Sequence, residues 1–230
     1  MGVIIAFIII IFWLGHLAYI LLNVEVAALN PWLYIHMIIQ AYLYTGLFIT
    51  GHDAMHQQVS KNKKLNKAIG YVVVFMYAGM SYKRLIKNHW EHHKFPGSEK
   101  DPDFYNKSQN FWVWWFMFML RYTTIWQILA MAAIFNILSR FAGIEVNALI
   151  LLWIIPAFLS TFQLFYFGTY VPHRKPHTEE MGKHRARTLK LNHLWAMLSC
   201  YFFGYHLEHH ESPGTPWWKL YKVKEERYGK

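Results

Sequence analysis

From Val3 to Leu22 the chain is apolar apart from Gly15 and His16. At 1.5 Å per residue of helix, that run is long enough to cross a hydrocarbon layer of about 30 Å. No basic segment precedes it and no small-residue cleavage site follows, so it reads as a first membrane span, not a signal peptide. Pro31 opens a second run through Thr50, with Trp32 and Tyr34 placed as an interfacial anchor. Tyr122 to Leu138 and Val146 to Tyr170 are a third and a fourth. Phe111 to Leu120 reads as an aromatic approach along the interface, interrupted by Arg121. Ala68 to Tyr82 falls below the spanning minimum of about 17 residues and is expected to dip into the interface or pack on the bundle. The pattern predicts an all-α integral membrane protein in one domain, residues 1–230, with four transmembrane helices and a helical cap.

Charge orients this arrangement. Of 23 Lys and Arg residues, ten lie between His52 and Asn110 and eleven between Val171 and Lys230. The connection Asn23 to Asn30 has none and Ser139 to Glu145 only Arg140. Positive charge marks the cytoplasmic side, so both basic segments and the cap are expected there. The net charge of +10 flanks apolar spans, suiting anionic headgroups or an acidic partner, not nucleic acid. The lone Cys200 forms no intrachain disulfide and reads as a small packing residue.

Eight of the 14 histidines fall into three clusters: His52-x-x-x-His56, His89-x-x-His92-His93 and His206-x-x-His209-His210. Spacings of three and four put side chains on one helix face, so the imidazoles of each cluster can converge. A single tetrahedral site takes about four ligands, and eight imidazoles therefore predict two metals. His173 follows the fourth span at the depth of the clusters and is a candidate ninth ligand. His16 and His36 lie inside spans, where a neighbouring helix is expected to satisfy them. His177, His184 and His193 read as parts of a basic loop. Asp53, Glu91 and Glu208 sit inside the clusters, where a carboxylate can accept the second ring hydrogen of a ligating histidine.

Neutral ligands leave the metals strongly positive, unlike the carboxylate-rich sites of soluble di-iron bundles. With open positions such a centre can bind O2 and attack an unactivated C–H bond, which requires shielding from water. Phe48 and Tyr44 lie one and two turns before His52, and Thr169 and Phe165 similarly before His173. These four are candidate walls of an apolar substrate tunnel. Trp217 and Trp218 read as an interfacial belt.

The clusters and spans resemble the membrane fatty acid desaturase superfamily. Four stretches are similar to its bacterial-type β-carotene ketolases: His52-Asp-Ala-Met-His56, His89-Trp-Glu-His-His-Lys-Phe-Pro-Gly-Ser-Glu-Lys-Asp-Pro-Asp-Phe104, Phe167-Gly-Thr-Tyr-Val-Pro-His-Arg174, and Phe203-Gly-Tyr-His-Leu-Glu-His-His-Glu-Ser-Pro-Gly-Thr-Pro-Trp-Trp218. The resemblance implies a non-haem di-iron site on the cytoplasmic face, with O2 as co-substrate and a ferredoxin-type donor. It carries ligand roles to His52, His56, His89, His92, His93, His206, His209 and His210, and a ninth to His173. The implied reaction is oxidation at C4 of β-ionone rings, by two hydroxylations and loss of water, taking β-carotene through echinenone to canthaxanthin. Desaturase relatives carry Asn where Thr169 stands, so amide ligation there is not implied for this chain.

Two other readings share some of these features. A fatty acyl desaturase or lipid hydroxylase would use the same metal site with a differently shaped tunnel. A divalent-metal transporter would also place histidines in a membrane protein, but near the bilayer midplane along a path.

Overall fold

In a computed structural model describing residues 1–229, the described residues form an array of helices with no strand beyond one isolated bridge, Thr188 to Tyr205. Helix α1 spans Gly2–Asn23. It buries Ala6, Ile9, Trp13, Leu17 and Ile20, a stripe at helical spacing, and leaves Ile4, Ile11 and Phe12 exposed. Apolar residues all round a helix are what lipid favours. Helix α2, Pro31–Met55, starts where the Asn30 side chain accepts the Trp32 N–H, with Pro31 already holding a helical φ. Its 25 residues extend beyond the apolar run and carry His52 on the helix itself, with His56 as the cap.

Helices α3, Lys63–Ala78, and α4, Tyr82–Lys94, follow one another across a short turn. The expected apolar segment ending at Tyr82 is instead divided. Gly79 adopts a left-handed φ of 66°, and Ser81 then caps α4 by accepting the Arg84 N–H.

Helix α5, Phe111–Tyr122, and helix α6, Ile125–Arg140, meet at 86°. The expected third span began at Tyr122, but that residue closes α5. Thr124 caps α6 by accepting the Gln127 N–H, so polar caps decide the boundary that hydropathy missed. Arg121 does not interrupt α5, because its guanidinium donates to the Pro102 carbonyl and ties the helix to the preceding loop.

Helix α7, Val146–His173, carries two π-helical segments, Leu149–Ile154 and Tyr166–Tyr170. Each lies just before a proline, Pro156 or Pro172. A proline has no N–H and crowds the carbonyl four residues back, so locally widened turns accommodate it. Beyond α7, α8 is His193–Cys200, α9 His206–Glu211 and α10 Leu220–Tyr228.

Three helices, α1, α2 and α7, are long and apolar enough to cross a membrane, and the bent pair α5–α6 is a fourth candidate as a broken span. Helix α2 is the hub, packed against α1, α3 and α7. Trp217, read from sequence as interfacial, is buried: its ring packs 5.1 Å from Tyr201, and its backbone N–H donates to Asp53 Oδ2 at 3.1 Å. This contact ties the C-terminal region to the end of α2.

Candidate metal centre and the cavity beside it

All nine histidines singled out as ligands come together where α2, α4, α7 and α9 meet. Two sets of four have ligand nitrogens within 4.8 Å of one another: His52, His56, His89 and His209 in the first, and His92, His173, His206 and His210 in the second. The unit is therefore not the sequence cluster. Helix α2 supplies only the first set and α7 only the second, whereas α4 and α9 each divide their histidines between the two. His93 lies between them, its Nε2 3.0 Å from that of His209 and its ring 4.3 Å from that of His210.

Several Nε2 atoms face one another with no other group between. His92 and His210 approach to 3.1 Å, and His206 and His210 to 3.2 Å. The buried Nε2 atoms of His52 and His173, one in each set, have no hydrogen-bond partner. Unpartnered buried nitrogen is costly unless a ligand completes it, so the donor set fits a metal in each group. Burial holds His56 down to about 4, and burial together with neighbouring imidazoles holds His89, His93, His206, His209 and His210 below the usual range. These rings are neutral at pH 7, as ligands must be.

His92 is different. Burial works against its charge, yet the Asp101 carboxylate lifts it to about 9. Asp101 accepts from His92 Nδ1 at 2.9 Å, from the Gly97 N–H at 2.7 Å and from the Asp103 N–H at 2.8 Å. Burial raises the Asp101 carboxyl, but His92 outweighs this and holds it low. Asp101 holds the Nδ1 hydrogen and so turns Nε2 of His92 toward the second set, where a metal ion would displace the Nε2 proton. The Arg185 carbonyl does the same for His173, accepting from Nδ1 at 2.9 Å. Asp103 accepts from the Tyr122 hydroxyl, and burial pushes its carboxyl up to about 6.

Asp101, Asp103 and the Arg185 carbonyl were not visible as functional groups in the sequence. The aspartates lie in the stretch His89–Phe104, but no periodicity relates them to His92. Of the carboxylates picked from the clusters, none holds an imidazole. Asp53 accepts from Trp217 and stays 3.9 Å from His52 Nδ1. Glu91 sits 3.9 Å from Lys87, and Glu208 is buried without a hydrogen bond to any imidazole.

The remaining histidines lie outside both sets. His16 pairs with His36 at 3.1 Å and with Gln40 at 2.6 Å, a polar group shared between α1 and α2. His177 reaches the His173 carbonyl at 3.0 Å, and His193 bonds Tyr205 and Glu225. The His184 ring comes within 5.5 Å of that of His210 without joining the set.

A cavity of about 500 Å³ opens beside the imidazoles. His52, His89, His92 and His206 reach its wall, and Tyr44, Phe48, Phe165 and Thr169 line it with mostly apolar neighbours from α3, α5, α6 and α7. Phe203 lies between the sets, 5.0 Å from the ring of His52 and 5.3 Å from that of His206. Its place depends on Gly168, where a Cβ would fall 2.0 Å from the Phe203 ring. Such an arrangement can hold two metals beside a mostly apolar chamber.

The fatty acid desaturase family model matches residues 29–144 and 121–229. A zeaxanthin 4-ketolase from Chlamydomonas reinhardtii is 42% identical over 188 residues, covering 80% of this chain and 42% of its own. A β-carotene 4-ketolase from Haematococcus lacustris is 38% identical over 190 residues, 80% of this chain and 59% of that one. A β-carotene ketolase from a Paracoccus species is 35% identical over 181 residues, 78% of this chain and 74% of that one. The chain thus spans about half the length of the algal relatives and three quarters of the bacterial one. No solved structure matches. With most of its length matched, the chain belongs to the fatty acid desaturase family, and its relatives there include β-carotene ketolases.

Proposed function

We propose that this chain, acting as a single unit over residues 1–230, is an O2-dependent carotenoid ketolase that oxidises C4 of β-ionone rings. The observation that carries the reading is the opening of both four-imidazole sets onto one mostly apolar cavity. A hydrocarbon polyene offers nothing for polar walls to recognise, so shape and apolar area must hold it. Tyr44, Phe48, Phe165 and Thr169 contribute to that wall and position the ring.

The two groups of four would hold two irons, one in each, with His93 beside both groups. When bound, they supply reductive activation of O2 and oxygen insertion into a C–H bond, using electrons from a ferredoxin-type donor. Asp101 and the Arg185 carbonyl orient His92 and His173 through their Nδ1 hydrogens. Phe203 and the aromatic walls keep bulk water from the reacting carbon. Two hydroxylations at one carbon give a gem-diol, which loses water to the ketone. β-Carotene would pass through echinenone to canthaxanthin.

The substrate enters from the lipid phase and the metal centre faces the cytoplasm, a side supported by the two basic segments. A fatty acyl desaturase or lipid hydroxylase would use the same centre. A divalent-metal transporter fits less well, because the imidazoles gather at one end of α2 and α7 and not along them.

Expression in cells that accumulate β-carotene tests this reading. Ketocarotenoids with an unchanged fatty acid profile are expected. Untouched carotene with altered lipids would assign the chain to the desaturase or hydroxylase reading.

A further inference from the structure

Trp90 differs from the other rings around the imidazole sets because it reaches the surface: 48% of it is exposed. Its ring lies 5.1 Å from that of His56, 5.8 Å from that of His93 and 6.4 Å from that of His89. On α4, Lys83, Lys87, Trp90 and Lys94 follow spacings of four, three and four, which places them in one stripe along the helix. All four are exposed, while Leu85 and His92 on the other side are buried. Glu91 is the acidic neighbour, 3.9 Å from Lys87.

More positive charge lies on the first turns of α3, which pack against the end of α2. Asn66 of α3 donates to the Ala54 carbonyl, two residues before His56, so exposed Lys63, Lys64 and Lys67 belong to the turns packed at the end of α2 that Trp90 also touches. The stripe has the form of a recognition surface, with an aromatic anchor surrounded by cations.

We infer that this stripe is the docking site for a small acidic one-electron carrier protein, and that electrons enter the centre through Trp90. The inference rests on the proposed reading that the imidazoles hold a redox metal pair. Each carrier leaves oxidised by one electron. Two electrons and two protons, with O2, convert one C–H bond to C–OH and release one water. Lysine and tryptophan also anchor proteins to headgroups. An anchor, however, gains nothing from a ring packed on ligating imidazoles, whereas a conduit needs that contact. Opposite charge on the carrier would speed and orient its encounter, with sensitivity to salt.

The test uses the iron-loaded protein in neutral-lipid nanodiscs and an acidic plant-type [2Fe–2S] ferredoxin as probe. Binding, its salt dependence and anaerobic reoxidation of the reduced ferredoxin are measured. Reversing the charges together, with Lys83→Glu, Lys87→Glu and Lys94→Glu, is expected to weaken binding about tenfold or more and flatten the salt dependence. Trp90→Leu is expected to retain the iron and slow reoxidation about tenfold beyond any loss of binding, with Trp90→Phe recovering part of the rate. Unchanged binding and reoxidation in the charge-reversed and Trp90→Leu proteins would overturn the inference. So would normal reoxidation by the charge-reversed protein with lost binding to anionic phosphatidylglycerol vesicles, which would make the stripe a headgroup anchor. A separate arm reduces the protein with dithionite and then admits O2 and β-carotene. Failure there in the wild type would count against the ketolase reading, while ferredoxin reoxidation would still judge the docking site.

Discussion

His92 donates its Nδ1 hydrogen to Asp101 at 2.9 Å, in a pair that is buried on both sides. The bond fixes which nitrogen faces the second imidazole set. Carboxylate partners of this kind govern how tightly a histidine holds its metal. Asp101→Asn keeps the shape but removes the charge, and is expected to weaken iron retention by about 10- to 100-fold in a chelator competition. Glu91→Gln, within the same cluster but turned away from the imidazoles, is expected to leave it unchanged.

Division of the clusters between two sets predicts different metal losses. His56→Ala removes a ligand of the first set and His173→Ala one of the second. Each is expected to lose one of two irons and all oxygenation. The two proteins should differ in the spectrum of the iron that remains. His36→Ala, in the separate pair with His16, is expected to keep both irons and much of the activity.

Convergence within each of the three clusters is legible because spacings of three and four translate directly into direction, and His173 stands out by its depth at the end of the fourth span. What could not be read was the pairing across helices. His89 and His92 are three residues apart yet serve different sets, a division decided by how α2, α7 and α9 approach α4. Asp101 escaped for a related reason: it reaches His92 through a loop, where no period applies. Hydropathy found α1, α2 and α7, but overran the bend between Tyr122 and Ile125, which depends on Thr124 as a cap. It also misjudged Trp217, whose partners lie far away in sequence.

Gly168 and Phe203 share one space. A Cβ at Gly168 would fall 2.0 Å from the Phe203 ring, too near for any small relaxation. Gly168→Ala is expected to cost about 1–3 kcal/mol, seen as a lowered thermal midpoint in detergent. Adding Phe203→Ala should relieve the clash, so the double variant should cost less than the sum of the single ones.

Ala157 lies on the cavity wall. Ala157→Phe adds bulk there without touching an imidazole. It is expected to retain both irons while conversion of β-carotene falls by about tenfold or more, through the steric cost of filling a substrate channel. Normal turnover with that variant would place the substrate elsewhere.

Acid should destabilise the metal-free protein through its buried imidazoles. His56 is held near 4 against an ordinary value of 6.5, so below 6.5 the unfolded chain binds a proton that the folded one refuses. His89, His206, His209 and His210 are shifted in the same direction, and His92 in the opposite one. Stability is therefore expected to be greatest at about pH 6.5 to 7, to fall progressively toward pH 4 as the depressed imidazoles oppose protonation, and to slip by a smaller amount toward pH 9 as His92 gives up its proton, as followed by chemical unfolding after chelation.

Mössbauer spectroscopy of protein loaded with 57Fe, combined with iron analysis, addresses the nine-imidazole centre most directly. The expected result is two irons per chain, with nitrogen-rich ligation that changes at one iron in His56→Ala and at the other in His173→Ala. A single iron per chain, or one signal lost equally in both variants, would contradict it.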